Sequence, residues 1–173
     1  MQLNYFNQPY FGNGDISKIS KVLTLNGIEK PLVCSDPGLS SIGMIDKIKD
    51  LISDEFSASF YEDTPANPTE NSVNDALKIY RNNGCDGVVG FGGGSSMDLA
   101  KAVSLMANHD GNIIDYSVVE GGYRKITKTI PMIAIPTTSG TGSEVSDGAL
   151  LVMNDGRKLI FASPHLRPNA AIC

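Results

Sequence analysis

The sequence predicts an α/β fold: a mostly parallel sheet with helices on its faces. Short, wholly apolar runs such as Pro31-Leu-Val-Cys34, Val88-Val89-Gly90-Phe91 and Pro131 to Ile135 read as strands buried on both sides. Between them lie stretches whose apolar residues recur at helical spacing. The connections are short and rich in Gly, Pro, Asn and Asp, which is how strand–helix units wind a parallel sheet.

Taken in order, Asp15 is placed to cap a helix carrying Ile16, Ile19 and Leu23, with Gly27 to stop it. The Pro31–Cys34 strand runs into Ser35-Asp36-Pro37-Gly38, which reads as a turn. Ile45, Ile48 and Ile52 share a face of a second helix, and Ala58 to Tyr61 reads as a strand. After the rigid Thr64-Pro65-Ala66-Asn67-Pro68 loop, Thr69 can cap a third helix with Val73, Ala76, Leu77 and Tyr80 on one stripe, ending near Gly84. The strand at Val88–Phe91 is followed by a helix over Ser95 to Ala107, with Ser95 and Asp98 at capping-box spacing. In the last third, segments 149–153 and 158–162 flank Asn154-Asp155-Gly156, a hairpin signal placed at the edge of the sheet.

Composition narrows the function. The 173 residues carry 14 Lys+Arg against 19 Asp+Glu, a net charge of −5, which argues against a nucleic-acid or anionic-membrane binder. No run approaches the roughly 18 apolar residues of a membrane span, and Met1-Gln2-Leu3-Asn4 lacks the basic start of a signal peptide. Cys34, Cys85 and Cys173 are widely separated, form no Cys-x-x-Cys pair, and fit reduced thiols in the cytoplasm. The two histidines, His109 and His165, form no metal-binding spacing and read as surface loop residues. There is no Gly-x-Ser-x-Gly elbow and no P-loop Gly-Lys-Ser/Thr.

Two glycine clusters carry the chemistry. In Phe91-Gly92-Gly93-Gly94-Ser95-Ser96-Met97-Asp98 a strand ends in three glycines and a helix opens at once. Glycines admit close approach of a ligand, and the first N–H groups of a helix, at its positive dipole end, favour a phosphate. The alternative reading is a tight strand-to-helix turn without a ligand. Gly90-x-Gly92-x-x-Ser95 is only a near miss to the dinucleotide fingerprint, so the motif reads as phosphate-binding without naming the nucleotide. The second cluster, Pro136-Thr137-Thr138-Ser139-Gly140-Thr141-Gly142-Ser143-Glu144, follows another strand end, so both clusters would face one crevice. At the end of the Pro31–Cys34 strand, Asp36 could accept both hydroxyls of an adenine ribose, favouring NAD over NADP; an Asp here is also an ordinary turn residue.

The run Gly92 to Lys101, followed by Ile135 to Val145, resembles the iron-containing alcohol dehydrogenases (the group III family). Phe11-Gly12-x-Gly14, Ser35-Asp36-Pro37-Gly38-Leu39, Asn67-Pro68-Thr69 and the closing Pro168-Asn169-Ala170-Ala171-Ile172 agree with that family in order and spacing. The resemblance implies a Rossmann-like domain over residues 1–173, like the N-terminal domain of dehydroquinate synthase, that binds NAD. It implies Gly93, Gly94 and Ser95 at the pyrophosphate, Asp98 near the nicotinamide and Asp36 at the adenine ribose. Asn67 would line the cleft, Thr137, Thr138, Thr141 and Ser143 would contact the cofactor, and Lys158 would lie near ribose and phosphate.

It further implies a small alcohol or aldehyde substrate, association as a homo-oligomer, and an iron (or zinc) ion. The family holds that metal with one aspartate and three histidines in a separate helical domain that this chain does not include. An isolated nucleotide-binding fragment without turnover, or a relative of glycerol dehydrogenase or dehydroquinate synthase, are the other readings.

Overall fold

The computed structural model describes residues 7–52 and 54–173; the start at Met1–Asn4 lies outside the described residues. Side chains of the central strands alternate between two cores. Leu32, Cys34, Val88, Met132 and Ala134 belong to one, and Val33, Val89, Phe91, Ile133 and Ile135 to the other, as a strand covered on both faces requires. These residues form β2 (Pro31–Cys34), β4 (Gly87–Gly92) and β5 (Met132–Pro136).

With β1 (Gln8–Tyr10), β3 (Ser59–Tyr61) and β8 (Ala170–Ile172) they make a six-stranded sheet in the order β1-β8-β5-β4-β2-β3. Every pairing in it is parallel. One face is covered by α1 (Ile19–Leu25) and α3 (Met44–Leu51), the other by α4 (Glu70–Asn82) and α5 (Gly94–Met106). The chain runs from β2 outward to β3, then crosses back over β2 to β4, so the strand order reverses between β2 and β4. Crevices at such reversals are where open parallel sheets bind ligands.

Thr69 caps α4 as expected: its Oγ1 accepts from the Ser72 N–H at 3.1 Å, and the Ser72 hydroxyl accepts from the Thr69 N–H at 2.8 Å. Five expectations change. Gly14, at φ +80°, starts the first helical segment, a 3-10 turn over Asp15–Lys18; the Asp15 carboxylate is drawn to Lys18 at 2.7 Å instead of capping. Ile52 leaves the helix in extended conformation, yet stays buried. The Asp36-Pro37-Gly38 turn is the start of a short helix, α2 (Pro37–Ser41), because Pro37 presets the first helical φ and Asp36 caps it. Ser95 and Asp98 make no capping box: α5 begins one residue earlier, after Gly93, and both side chains turn to other segments. The hairpin of β6 (Gly148–Val152) and β7 (Lys158–Ala162) forms, but as a separate two-stranded sheet. It lays Leu151, Leu159 and Phe161 into the core that holds α5, so it roofs that helix and does not extend the sheet edge.

That roof explains why ten of the 13 residues of α5 are buried, Lys101 among them. No helix among the described residues is long and apolar enough to cross a membrane.

Candidate functional site

The carboxyl ends of β2, β4 and β5 lie side by side and deliver Asp36, Gly93 to Ser96, and Thr137 with Thr138 to one cleft of about 470 Å³. The Asp36 carboxylate is held on both sides. Its Oδ1 accepts from the Leu39 N–H at 3.1 Å, capping α2, and its Oδ2 accepts from the Ser96 hydroxyl at 3.3 Å.

Gly92 makes this possible. At φ +147° it turns the strand end toward the helix, and a Cβ there would sit 2.8 Å from the Ser96 Cβ and 3.1 Å from Asp36 Oδ2. Two residues earlier, Gly90 lets α5 pack tightly on β4, since a Cβ would lie 3.0 Å from the Met97 Cα. The Ser95 hydroxyl donates to the Ala66 carbonyl and joins the Thr64–Ala66 loop to the helix start.

A second pocket, of about 290 Å³, opens beside the first and shares Gly94 with it. Asp98, Thr141 and Ser143 line it together with Ser146, Gly148, Leu150 and Ile160. Asp98 Oδ1 accepts from the Ser143 hydroxyl at 2.7 Å and Oδ2 from the Leu150 N–H at 3.0 Å, so α5, the glycine-rich loop and the hairpin are tied at one carboxylate. Asn67 and Lys158 line neither pocket; they meet each other, the Lys158 ammonium donating to Asn67 Oδ1 at 2.9 Å across 91 positions of chain. Of the sequence-predicted residues, Asp36, Gly93, Gly94, Ser95, Thr137 and Thr138 therefore share one cleft. Asp98, Thr141 and Ser143 occupy its neighbour, and Asn67 with Lys158 form an exposed bridge from hairpin to loop.

The structure adds residues that sequence reasoning missed. Ser96 completes the hold on Asp36, and the Ala66 carbonyl anchors Ser95. Lys101 is fully buried beneath the second pocket, donating to Ser143 Oγ at 3.0 Å, Ser146 Oγ at 2.9 Å and the Gly148 carbonyl at 2.8 Å. Its burial pulls the ammonium pKa down to about 8, against the opposing charges of Asp98, Asp147 and Glu144. The available signal was a lone lysine amid Leu99, Ala100, Ala102 and Val103, three residues after an aspartate.

The space between the two glycine-rich segments suits a group that needs close backbone contact. A Cβ on Gly93 would come within 3.3 Å of Thr138 Oγ1, and one on Gly94 within 3.5 Å of the Thr141 Cβ. The first N–H groups of α5 point out of the helix there with no side-chain cap from Gly93, which fits an anionic ligand. The donor set does not fit a metal: among the described residues no three His, Cys, Asp or Glu side chains converge. Nor are Cys34 and Cys85 ready nucleophiles, since burial pushes both thiols up. His109 is half-buried, its Nδ1 at 2.9 Å from the Leu105 carbonyl, while His165 is exposed.

Comparison with known proteins agrees with this geometry. The chain is 42% identical over 170 residues to a 4-hydroxybutyrate dehydrogenase of Cupriavidus necator, an alignment covering 98% of this chain and 44% of that protein. It is 36% identical over 160 residues to alcohol dehydrogenase 4 of Schizosaccharomyces pombe, covering 91% of this chain and 37% of that one. The chain thus spans less than half the length of these curated relatives. Among solved structures, an NADH-dependent butanol dehydrogenase A of Thermotoga maritima superposes with a TM-score of 0.89 at 28% identity, over 99% of this chain and 43% of that one. A sulfoacetaldehyde reductase of Bifidobacterium kashiwanohense, solved in complex with NAD+, superposes with a TM-score of 0.86 at 31% identity, over 96% and 44%. The family model for iron-containing alcohol dehydrogenase matches residues 7–173, and with a parallel sheet whose strand ends gather both glycine clusters, the chain belongs to that family.

Proposed function

We propose that this chain supplies the NAD(H)-binding half of a metal-dependent alcohol dehydrogenase that interconverts a small primary alcohol and its aldehyde. The observation that carries the reading is the convergence of Asp36, the Gly93–Ser95 helix start and Thr137–Thr138 on one cleft. Asp36 accepts the hydroxyls of the adenine ribose with the oxygen lone pairs left over from Leu39 and Ser96. Gly93, Gly94 and Ser95 present helix N–H groups to the pyrophosphate, with the Thr137 and Thr138 hydroxyls opposite. The adjoining pocket takes the nicotinamide end, oriented by Asp98, Thr141 and Ser143. Lys158, steadied by Asn67, supplies a positive charge near ribose and phosphate. The names of the solved relatives, one NADH-dependent and one holding NAD+, support the choice of nucleotide.

When bound, NAD supplies a hydride acceptor; these residues position it. The metal set that the family resemblance implies needs three histidines, and this chain has two, so the ion is held by residues outside it. Three unbridged cysteines fit a reducing compartment such as the cytoplasm.

The test is titration of the 173-residue protein with NADH, followed by fluorescence, and then an aldehyde-reduction assay with added iron. Binding without turnover is expected. Turnover by these residues alone refutes the division of labour, and a folded chain that ignores NADH refutes the cleft assignment.

A further inference from the structure

Beneath the second pocket sits a charge that nothing in cofactor binding requires to be there. Lys101 is 0% exposed, and its three ammonium protons are matched by three acceptors from two other segments: Ser143 and Ser146 of the glycine-rich loop and the Gly148 carbonyl at the start of β6. Ser143 cannot be the donor in its contact with Lys101, because its own proton goes to Asp98 Oδ1 at 2.7 Å. Asp98 in turn lies 4.0 Å from the ammonium. Asp98, Ser143, Ser146 and Gly148 are all pocket-lining residues, so the network forms the floor of the pocket itself.

Burying an ammonium is costly unless it is fully hydrogen-bonded, and here each of its protons has an acceptor. We propose that Lys101 is a positioning residue for this half of the cleft: from under the floor, the three hydrogen bonds of its head group tie the glycine-rich loop and the hairpin to α5, and so fix where Asp98 and Ser143 face the ligand. The ligand's identity rests on the NAD(H) reading above; the clamp does not.

The charges facing Lys101 are Asp98 on its own helix and Glu144 and Asp147 on the loop, Asp147 being shared with Arg167 at 3.1 Å. Burial lowers the ammonium pKa, so the charge by itself opposes closure; what holds the loop is the set of three hydrogen bonds.

The experiment is residue-resolved amide hydrogen exchange on the full chain at pH 7, expressed as protection factors, alongside NADH titrations. Lys101→Met, which leaves the acceptors at Ser143, Ser146 and Gly148 without their donor, should lower the protection of amides 140–150 several-fold while leaving β4 amides unchanged. Ser146→Ala, which keeps the lysine and removes one acceptor, should lower loop protection by a smaller factor and weaken NADH binding several-fold. Loop protection that is unchanged or raised in Lys101→Met, or a Ser146→Ala variant indistinguishable from wild type in exchange and NADH affinity, overturns the clamp. Lowered loop protection in both variants with no NADH binding by wild type overturns the cofactor reading and leaves the clamp standing.

Discussion

In the proposed function Asp36 has a structural and a ligand-facing task on one carboxylate, and two substitutions separate them. In Asp36→Ala, the Leu39 N–H loses its cap acceptor and the Ser96 hydroxyl loses its partner. The cap contributes about 1 kcal/mol and the hydrogen bond about 1 kcal/mol more. A loss of about 2 kcal/mol lowers the melting temperature of a chain this size by roughly 4–8 °C. Asp36→Asn keeps an oxygen for the Leu39 N–H, and Asn caps as well as Asp, so its stability should stay within about 0.5 kcal/mol of wild type.

What Asp36→Asn removes is the negative charge. A 2′-phosphate roughly 5 Å from that carboxylate, at an effective dielectric of about 20, is disfavoured by about 3 kcal/mol per unit charge before solvent screening. Screening in an open cleft reduces this, so the ratio of NADPH to NADH affinity should rise by about ten- to a hundredfold in both variants. Calorimetry gives the melting temperatures, and parallel NADH and NADPH titrations give the ratio. If Asp36→Asn keeps the wild-type ratio, the carboxylate does not face the ribose, and the assignment of the adenine end fails.

Gly92→Ala should cost about 1–3 kcal/mol, read in urea unfolding, because alanine is strained at φ +147° and its methyl meets Ser96 and Asp36. NADH binding should fall with it, and wild-type stability would contradict the tight-turn argument. Phe161→Ala, at a side chain 1% exposed in the core beneath the hairpin, should destabilise by about 3–5 kcal/mol; a loss under about 1 kcal/mol would mean the hairpin is not a packed roof. Lys101 gives stability a pH dependence. Its folded pKa of about 8 lies below the ordinary 10.5, so at this residue the unfolded chain binds more protons between those values and the lysine's contribution to stability rises with pH there. The slope approaches about 1.4 kcal/mol per unit. Cys34 and Cys85, whose thiols burial pushes up, act oppositely within that range, and Tyr61 and Tyr80, pushed up to about 12 by burial, do so above pH 10; the lysine is therefore read from the difference in slope between wild type and Lys101→Met, compared from pH 7.5 to 9.5. Equal slopes in the two proteins would show that the lysine is solvated.

Local sequence determined the elements whose cause is local. β2, β4 and β5 were legible because a strand covered on both faces must be apolar throughout, and α4 because Thr69 and its stripe of Val73, Ala76, Leu77 and Tyr80 state its start and face. The turn at Asn154-Asp155-Gly156 marked the hairpin for the same reason: Gly156 adopts φ +84° there. The two glycine clusters at strand ends also led to the cleft, since a parallel sheet gathers the carboxyl ends of its strands on one side.

Tertiary structure decided what depends on partners far away in the chain. The three-residue strands β1 and β8 exist because Gln8 pairs with Ala170 across the molecule, and neither segment has enough residues to declare a strand alone. Where the hairpin settles was likewise undetermined locally; by roofing α5 it buries Lys101, and that turned a surface-type residue into the floor of a pocket. Ser95 and Asp98 had the spacing of a cap, but a carbonyl at Ala66 and a hydroxyl at Ser143 offered better partners once the loops closed over the helix. A polar side chain in this chain takes whichever partner the packed fold brings nearest, and distance in sequence says little about which that will be.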